Sequence, residues 1–475
     1  MAASTAARKA AASSQVTLLA AALRDEGWAL NGLGRKSESI AALTESQRIY
    51  RDLGDLGNAA RANLNLASVL SGQASLASRK SMIEEVVQVF RSIGSKRGEA
   101  VALNNFAGIL QDMGRPDEAE RSYRRASEVC AEIGDLGRLA GTRNNLGTIA
   151  ESRGDLATAL SEYEAALAID RSIKVRSNIA YHGSNVAGIL RLRGDLTGAL
   201  KSQDEALAIY RDLHSVDPMA EAFRGRAEVL TDQGLLALAK KDYEQALSIS
   251  RKSDNPGEAA LALDALAVVV MYQGDLVAAH RLYDNATEFY RKDASGVPAR
   301  RRVAMRLLLE ESREQEVERT ARAAIQESQN ARSPAGESYW RIVLARCLLP
   351  EKRTAEAQAE MDQVAALLKK SQDQVVRLDF LITSALVRAA SGAAEDESAA
   401  LVTLAAAIRG SRKFGFVGFN LEARLAQGEI EMRLGAPAAS DDLMAAKKDA
   451  DASGFGLISG KAAKALRSGP ARPED

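Results

Sequence analysis

The chain has 475 residues with 63 basic and 63 acidic side chains, so no net charge draws it to nucleic acid or to an anionic membrane surface. Only 4% of residues are aromatic while Ala, Leu, Glu and Arg abound, which favours helix over sheet. No run of about 18 apolar residues occurs, which excludes a membrane-spanning helix.

The opening MAASTAARKAAASSQ lacks the continuous apolar core of a signal peptide, and residues 1–14 are expected to form a disordered leader. The VTLLAAALRDEGWAL that follows reads as the first helix. From there a pattern returns with a period of 40 residues: Gly34, Gly114, Gly154, Gly194, Gly234 and Gly274 share one position, and Ala74 takes the vacant place. Five positions after the turn stand Ala119, Ala159, Ala199, Ala239 and Ala279. Nine after it stand Tyr123, Tyr163, Tyr243 and Tyr283, with Gln203 the exception. Twelve after it stand Ala126, Ala166, Ala206, Ala246 and Ala286.

Each period reads as two helices. Around Gly154, a helix over 140–152 ends on a glycine suited to a left-handed cap. Asp155 follows, where a carboxylate suits the helix dipole. A second helix over 156–173 then sets Ala159, Tyr163 and Ala166 on one face, small residues for close approach and a tyrosine to fill the gap. The prolines, among them Pro116, Pro218, Pro256, Pro334, Pro350 and Pro437, fall at predicted connections. Seven regular repeats are expected over 15–299. Past 300 the pattern fades, although 355–371 still reads as a second helix, and GFVGFNLEARL (415–425) returns as SGFGLISGKAAKAL (453–466), pairing Phe416 with Phe455. Residues 300–466 are therefore expected to form three or four diverged repeats with a C-terminal capping helix, and 467–475 a disordered tail.

Gly147, Gly154, Ala159, Tyr163 and Ala166 resemble the pattern of the tetratricopeptide repeat family, in its roughly 40-residue, kinesin-light-chain-like form. The C-terminal half is similar to repeat regions of bacterial serine/threonine kinases and winged-helix regulators. The resemblance implies an all-α fold, an α-solenoid of antiparallel helix hairpins wound as a right-handed superhelix of about 10–11 repeats, with first helices lining a concave face.

Chemistry is sparse. His182, His214 and His280 sit at unrelated positions, and no nucleophile, acid–base pair or metal-ligand spacing accompanies them. GFGLISGK (454–461) fails as a phosphate loop, because its glycine spacing is wrong and Ala462 stands where Ser or Thr is needed. No enzyme and no cofactor are expected. Cys130 and Cys347 read as buried reduced thiols, consistent with a cytoplasmic chain. Arg51, Arg91, Arg171, Arg211, Arg251 and Arg291 recur near the end of the second helix, where a cation suits the dipole and can meet nearby carboxylates.

The first helices carry a sharper signal. Asn65, Asn105, Asn145 and Asn185 hold one position in four successive repeats, although Asn costs about 0.5 kcal/mol against Ala in a helix. Three positions on stand Ser68, Gly108, Thr148 and Gly188, small enough for another backbone to approach. In peptide-binding members of the resembling family an Asn at this place bonds the backbone of an extended peptide, and a carboxamide matches a peptide unit as donor and acceptor. The same stripe offers Trp28 in the first repeat, an acidic group of Glu221, Glu228 and Asp232 in the sixth, and an apolar patch around Tyr272 in the seventh. These residues form the expected groove, for an extended ligand basic near the sixth repeat and apolar near the seventh. The implied function is a non-catalytic protein- or peptide-binding scaffold, the docking or sensing module of a bacterial signalling system. The alternative is a sensor of a sugar or metabolite, and the apolar stretch 401–408 adds self-association through the C-terminal half.

Overall fold

The computed structural model describes residues 2–71, 74–291 and 297–468, and among these it holds 23 α-helices, one 3-10 turn and no strand. Two compact units divide the chain, Met1–Ile149 with Ala168–Ile173, and Ala150–Leu167 with Lys174–Asp475. The first unit contains α1 (Ala2–Gly32), α2 (Lys36–Asp52), α3 (Leu56–Val69), α4 (Leu76–Ser92), α5 (Lys96–Asp112), α6 (Pro116–Glu132) and most of α7 (Leu136–Ser152). Helix α8 (Leu156–Ile173) contributes to both units. The second unit continues with α9 (Arg176–Arg193), α10 (Leu196–Asp212), α11 (Val216–Asp232), α12 (Leu236–Lys252), α13 (Pro256–Tyr272), α14 (Leu276–Tyr290), α15 (Val297–Glu310) and α16 (Glu314–Asn330). It ends with α17 (Pro334–Leu348), α18 (Thr354–Leu367), α19 (Gln374–Ala389), α20 (Ala394–Phe414), α21 (Val417–Arg433), α22 (Ala439–Ser453) and α23 (Gly456–Ser468).

Consecutive helices pack as hairpins, each burying an apolar stripe against its neighbours. The turns follow the sequence reading. Helix α7 ends at Ser152, Gly154 takes φ 76°, and the Asp155 carboxylate accepts from the Thr158 amide at 3.1 Å. The connections from second to first helix share a left-handed residue too: Gly54, Gly94 and Gly134, then Lys174, His214 and Asp254. His214 is thus a turn residue. Pro116, Pro256 and Pro334 open helices at their first position, and Pro218 sits in the first turn of α11, where a missing N–H leaves no bond unmade. The backbone of α1 runs back to Ala2, through the stretch expected to be a disordered leader, and its alanines are the strongest helix formers. Residues 469–475 of the expected tail lie outside the described residues.

The periodic residues make the core. Ala119 and Ala126 are fully buried and Tyr123 is 4% exposed, its hydroxyl donating to Gln111 at 2.8 Å. In the second unit Tyr163 repeats this, donating to Glu151 at 2.8 Å. The arginine column ties repeats together: Arg51 reaches Glu85 at 3.2 Å, Arg91 reaches Glu99 at 2.8 Å, and Arg211 and Arg251 lie over the rings of Phe223 and Phe289.

The second unit also has contacts that no hairpin stack requires. Helix α19 meets α9, α21 meets α11, and α23 meets α13. Leu378 and Phe416 pack with Ala187, Leu196 and Val229, and Leu421, Phe455 and Ile458 join Leu236, Tyr243 and Leu266. Four hairpins follow residue 297, and α23 is the closing helix. In the stretch 401–408, Leu404, Ala407 and Ile408 pack against Ile382 and Ala385 of α19 and Ala423 and Ile430 of α21, while Val402 stays 71% exposed.

Candidate functional site

In the first unit, α3, α5 and α7 carry the asparagine stripe. Asn65, Asn105 and Asn145 are each half-buried, and Ser68 and Gly108 are half-buried beside them. A cavity of about 480 Å³ opens over this face, lined by Ser68, Arg79, Asn104, Asn105, Gly108 and Tyr123. Three sequence-predicted residues, Ser68, Asn105 and Gly108, thus meet at one place. Asn65 lies on α3 and Thr148 on α7, both outside that lining. Thr148 is exposed and its hydroxyl donates to the Asn144 carbonyl at 3.2 Å, while Trp28, on α1, is 54% exposed.

The amides are linked rather than independent. Asn145 Nδ2 donates to Asn104 Oδ1 at 3.0 Å, and Asn104 Nδ2 donates to Asn105 Oδ1 at 3.4 Å. Asn104 therefore holds the carboxamide of Asn105 with its oxygen toward Asn104. Asn104 was not among the predicted residues, yet a signal was present: the doublets Asn104–Asn105 and Asn144–Asn145 recur one repeat apart. Arg79 frames the same cavity, donating from Nε to the Ala67 carbonyl at 2.9 Å. The result is a polar lining of amides and a guanidinium that includes Gly108, where the Tyr123 hydroxyl lies 3.8 Å from the place a Cβ would take. Such a surface can donate to and accept from a peptide backbone.

The second unit carries Asn185 and Gly188 on α9, both half-buried. Its expected acidic group is placed otherwise than the sequence reading has it. Asp232 pairs with Arg191 at 2.8 Å, and Glu228 pairs with Arg224 at 3.0 Å. Glu221 remains exposed. Arg224 also holds Glu258 at 2.8 Å, and Arg346 holds Asp379 and Glu422, each at 2.6 Å. Tyr272 accepts from Arg306 at 3.0 Å and packs against Phe455 with ring centroids 5.5 Å apart and planes tilted by 42°. Arg191 of the preceding repeat and Arg224, one turn earlier on α11 itself, thus occupy the places expected for a basic ligand, and Phe455 covers the apolar one. The reason is spatial. Arg191, Arg224 and Asp232 stand on inward faces of adjacent first helices, and a charge left unpaired there would cost several kcal/mol. Burial pushes the Asp232 and Asp379 carboxyls above their ordinary value, with the neighbouring guanidinium pulling the other way.

Among the described residues, no group of three or more His, Cys, Asp or Glu is placed to hold a metal ion, and no helix is long and apolar enough to cross a membrane.

A family model described as the MalT-like TPR region matches residues 135–418, and a tetratricopeptide repeat model matches residues 100–133. No curated protein matches the chain in sequence. Among solved structures, the chain is similar to a Rap protein complexed with competence and sporulation factor, at 14% identity over 74% of this chain and 98% of that one, with a TM-score of 0.54. The apo form of RapI gives 14% identity, the same coverage and a TM-score of 0.52. The apo form of the quorum sensor NprR from B. thuringiensis gives 16% identity over 71% of this chain and 99% of that one, with a TM-score of 0.48. At these identities the two Rap likenesses establish a shared fold. The hairpin stack, the Gly–Ala–Tyr–Ala register that builds it and a match over more than half of the chain lead to one conclusion: this protein belongs to the family of MalT-like tetratricopeptide-repeat regions.

Proposed function

We propose that the chain is a non-catalytic scaffold that holds an extended polypeptide segment against the first helices of its first unit, as the docking or sensing module of a bacterial signalling system. The observation that carries this reading is the 480 Å³ cavity over Ser68, Asn104, Asn105 and Gly108, where linked amides and a missing side chain meet on one face. The same fold in a Rap protein is complexed with competence and sporulation factor, which supports ligand binding as the role of the stack. A chain with 63 charges of each sign favours a protein partner over nucleic acid. Both cysteines are free and buried, in keeping with a reducing compartment such as the cytoplasm.

Hydrogen bonds alone do not make the affinity. Each contributes about 1 kcal/mol net, whereas a micromolar complex needs about 8 kcal/mol. The amides set the register of the peptide, and the cavity takes one of its side chains. The test uses peptides selected from a random display library against the full chain, then measured by fluorescence anisotropy on the parent and on Asn105→Ala/Asn145→Ala. With the variant's melting curve unchanged, binding should weaken at least tenfold. Equal affinity for both proteins would sink the groove reading.

A further inference from the structure

The second repeat breaks the register of the others beside the asparagine stripe. Five places after the turn, Ala119, Ala159, Ala199, Ala239 and Ala279 are fully buried, and the first repeat has the equally small and buried Ser39. In the second repeat that place holds Arg79. Nine places after the turn, Tyr123 and Tyr163 reach back to Gln111 and Glu151. The second repeat has Ile83 instead, with the shorter Ser71 at the counterpart of Gln111. Arg79, Ile83 and Ser71 all line the 480 Å³ cavity of the first unit.

Arg79 is 9% exposed, and its Nε donates to the Ala67 carbonyl at 2.9 Å. Among the described residues no carboxylate comes within ion-pair distance of it, and Nη1 and Nη2 have no partner. Other guanidiniums of the stack meet a buried carboxylate, as Arg91 meets Glu99 and Arg226 meets Asp242. Asp112, the one carboxylate in the cavity lining, is exposed at the end of α5 and makes no ion pair with Arg79. The cation also stands near the start of α4, the end of a helix that disfavours positive charge. A charge held out of water without a counter-ion is costly, and a small residue serves in all the other regular repeats.

We infer, on the groove reading proposed above, that Arg79 receives the side-chain carboxylate of an aspartate or glutamate in the bound peptide. The ligand then supplies the counter-ion that the chain itself withholds. Nη1 and Nη2 present N–H groups side by side, the fork that matches two carboxylate oxygens. The carboxylate belongs to a side chain rather than to a chain end, because the amide stripe continues on both sides of the cavity. Asn65 on α3 and Asn145 on α7 lie beyond its lining, so a peptide laid along the stripe runs past Arg79 in both directions.

The probes are short peptides from two display libraries panned on the full chain, one with glutamate and one with glutamine fixed at the central position. The best binder is synthesised as a Glu/Gln pair, acetylated and amidated, and measured by fluorescence anisotropy on the parent, Arg79→Ala and Asn105→Ala/Asn145→Ala. On the parent, the Glu peptide should bind at least tenfold more tightly than its Gln counterpart. It should lose at least tenfold in Arg79→Ala, whereas the Gln peptide should bind both proteins alike. Arg79→Ala restores the residue of the other repeats and should melt no lower than the parent. If it does melt lower, Arg79→Gln, which retains a donor for the Ala67 carbonyl, is read in its place. A Glu peptide that binds the parent and the Arg79 variant equally, yet weakens in Asn105→Ala/Asn145→Ala, overturns the role of Arg79 and leaves the groove reading standing. Equal binding to all three proteins, or no binder from either library, overturns both. A tenfold gain on freeing the C-terminus of the Gln peptide, lost in Arg79→Ala, would put a chain end at Arg79 and overturn the side-chain assignment.

Discussion

A single glycine position separates what local backbone demands from what packing adds. Gly34 and Gly194 occupy equivalent turns with φ 73° and 87°, and a Cβ in that conformation costs about 1–2 kcal/mol. At Gly34 nothing lies within 4 Å of the added carbon, whereas at Gly194 it would lie 2.5 Å from Phe414. Overpacking adds about 1–3 kcal/mol more. Gly194→Ala should therefore lower the melting temperature further than Gly34→Ala, and equal shifts would mean that Phe414 yields without cost. The turn role of both glycines was legible in their 40-residue spacing. The cover over Gly194 was not, because Phe414 lies 220 positions away and belongs to no repeat position shared with it.

At the scale of helices, charges act in two opposite ways. On α16 Glu318 pairs with Arg353 at 2.8 Å and with Arg322 at 2.7 Å, and their hydrogen bonds hold its carboxyl down at about 2. Its folded value lies below the unfolded one, so its stabilisation is present above about pH 4.5 and is lost as pH falls through about 2. Asp379 on α19 runs the other way. Burial first, and then the like charge of Glu422, push it up, so its most favourable state is below the unfolded value and is lost as pH rises through the folded one. Melting temperatures measured against pH should show Glu318→Gln falling behind the parent between about pH 2 and 4.5. Asp379→Asn should instead gain on the parent as the solution is brought from acid to neutral. Parallel curves for the two variants would contradict these opposite shifts. The sequence pointed to Asp232 as an open acidic group because an isolated repeat shows only its own side chains, whereas the partner of Glu228, Arg224, stands one turn earlier on the same helix. Arg191, which closes on Asp232, comes from the preceding repeat.

At the scale of the molecule, the second unit departs from a stack coupled only through nearest neighbours. Phe455 is 1% exposed among residues of α11 and α13. Truncating it should cost about 3–5 kcal/mol, as for other buried aromatics. The loss should appear where a linear stack would not show it: amide exchange at Val269 and Val270 of α13 should speed up along with that of α21 and α22. Faster exchange confined to α21–α23 would mean that α13 is held by its own repeat alone.

The sequence by itself determined the hairpins, the turns and the register of the core. Each rests on a rule that acts within one repeat: a left-handed glycine, a small residue at a helix crossing, a tyrosine reaching back to the preceding helix. It also determined the asparagine stripe, since helical periodicity alone sets Asn105 beside Gly108. Tertiary structure decided which polar groups stay available. Asn104 is oriented by Asn145 one repeat on, Asp232 is closed by Arg191, and Phe416 and Phe455 are buried against first helices far back in the chain. The first two join adjacent repeats and the last joins segments many repeats apart; none follows from a rule that acts within one repeat, and the packed geometry of the helices brings the partners together.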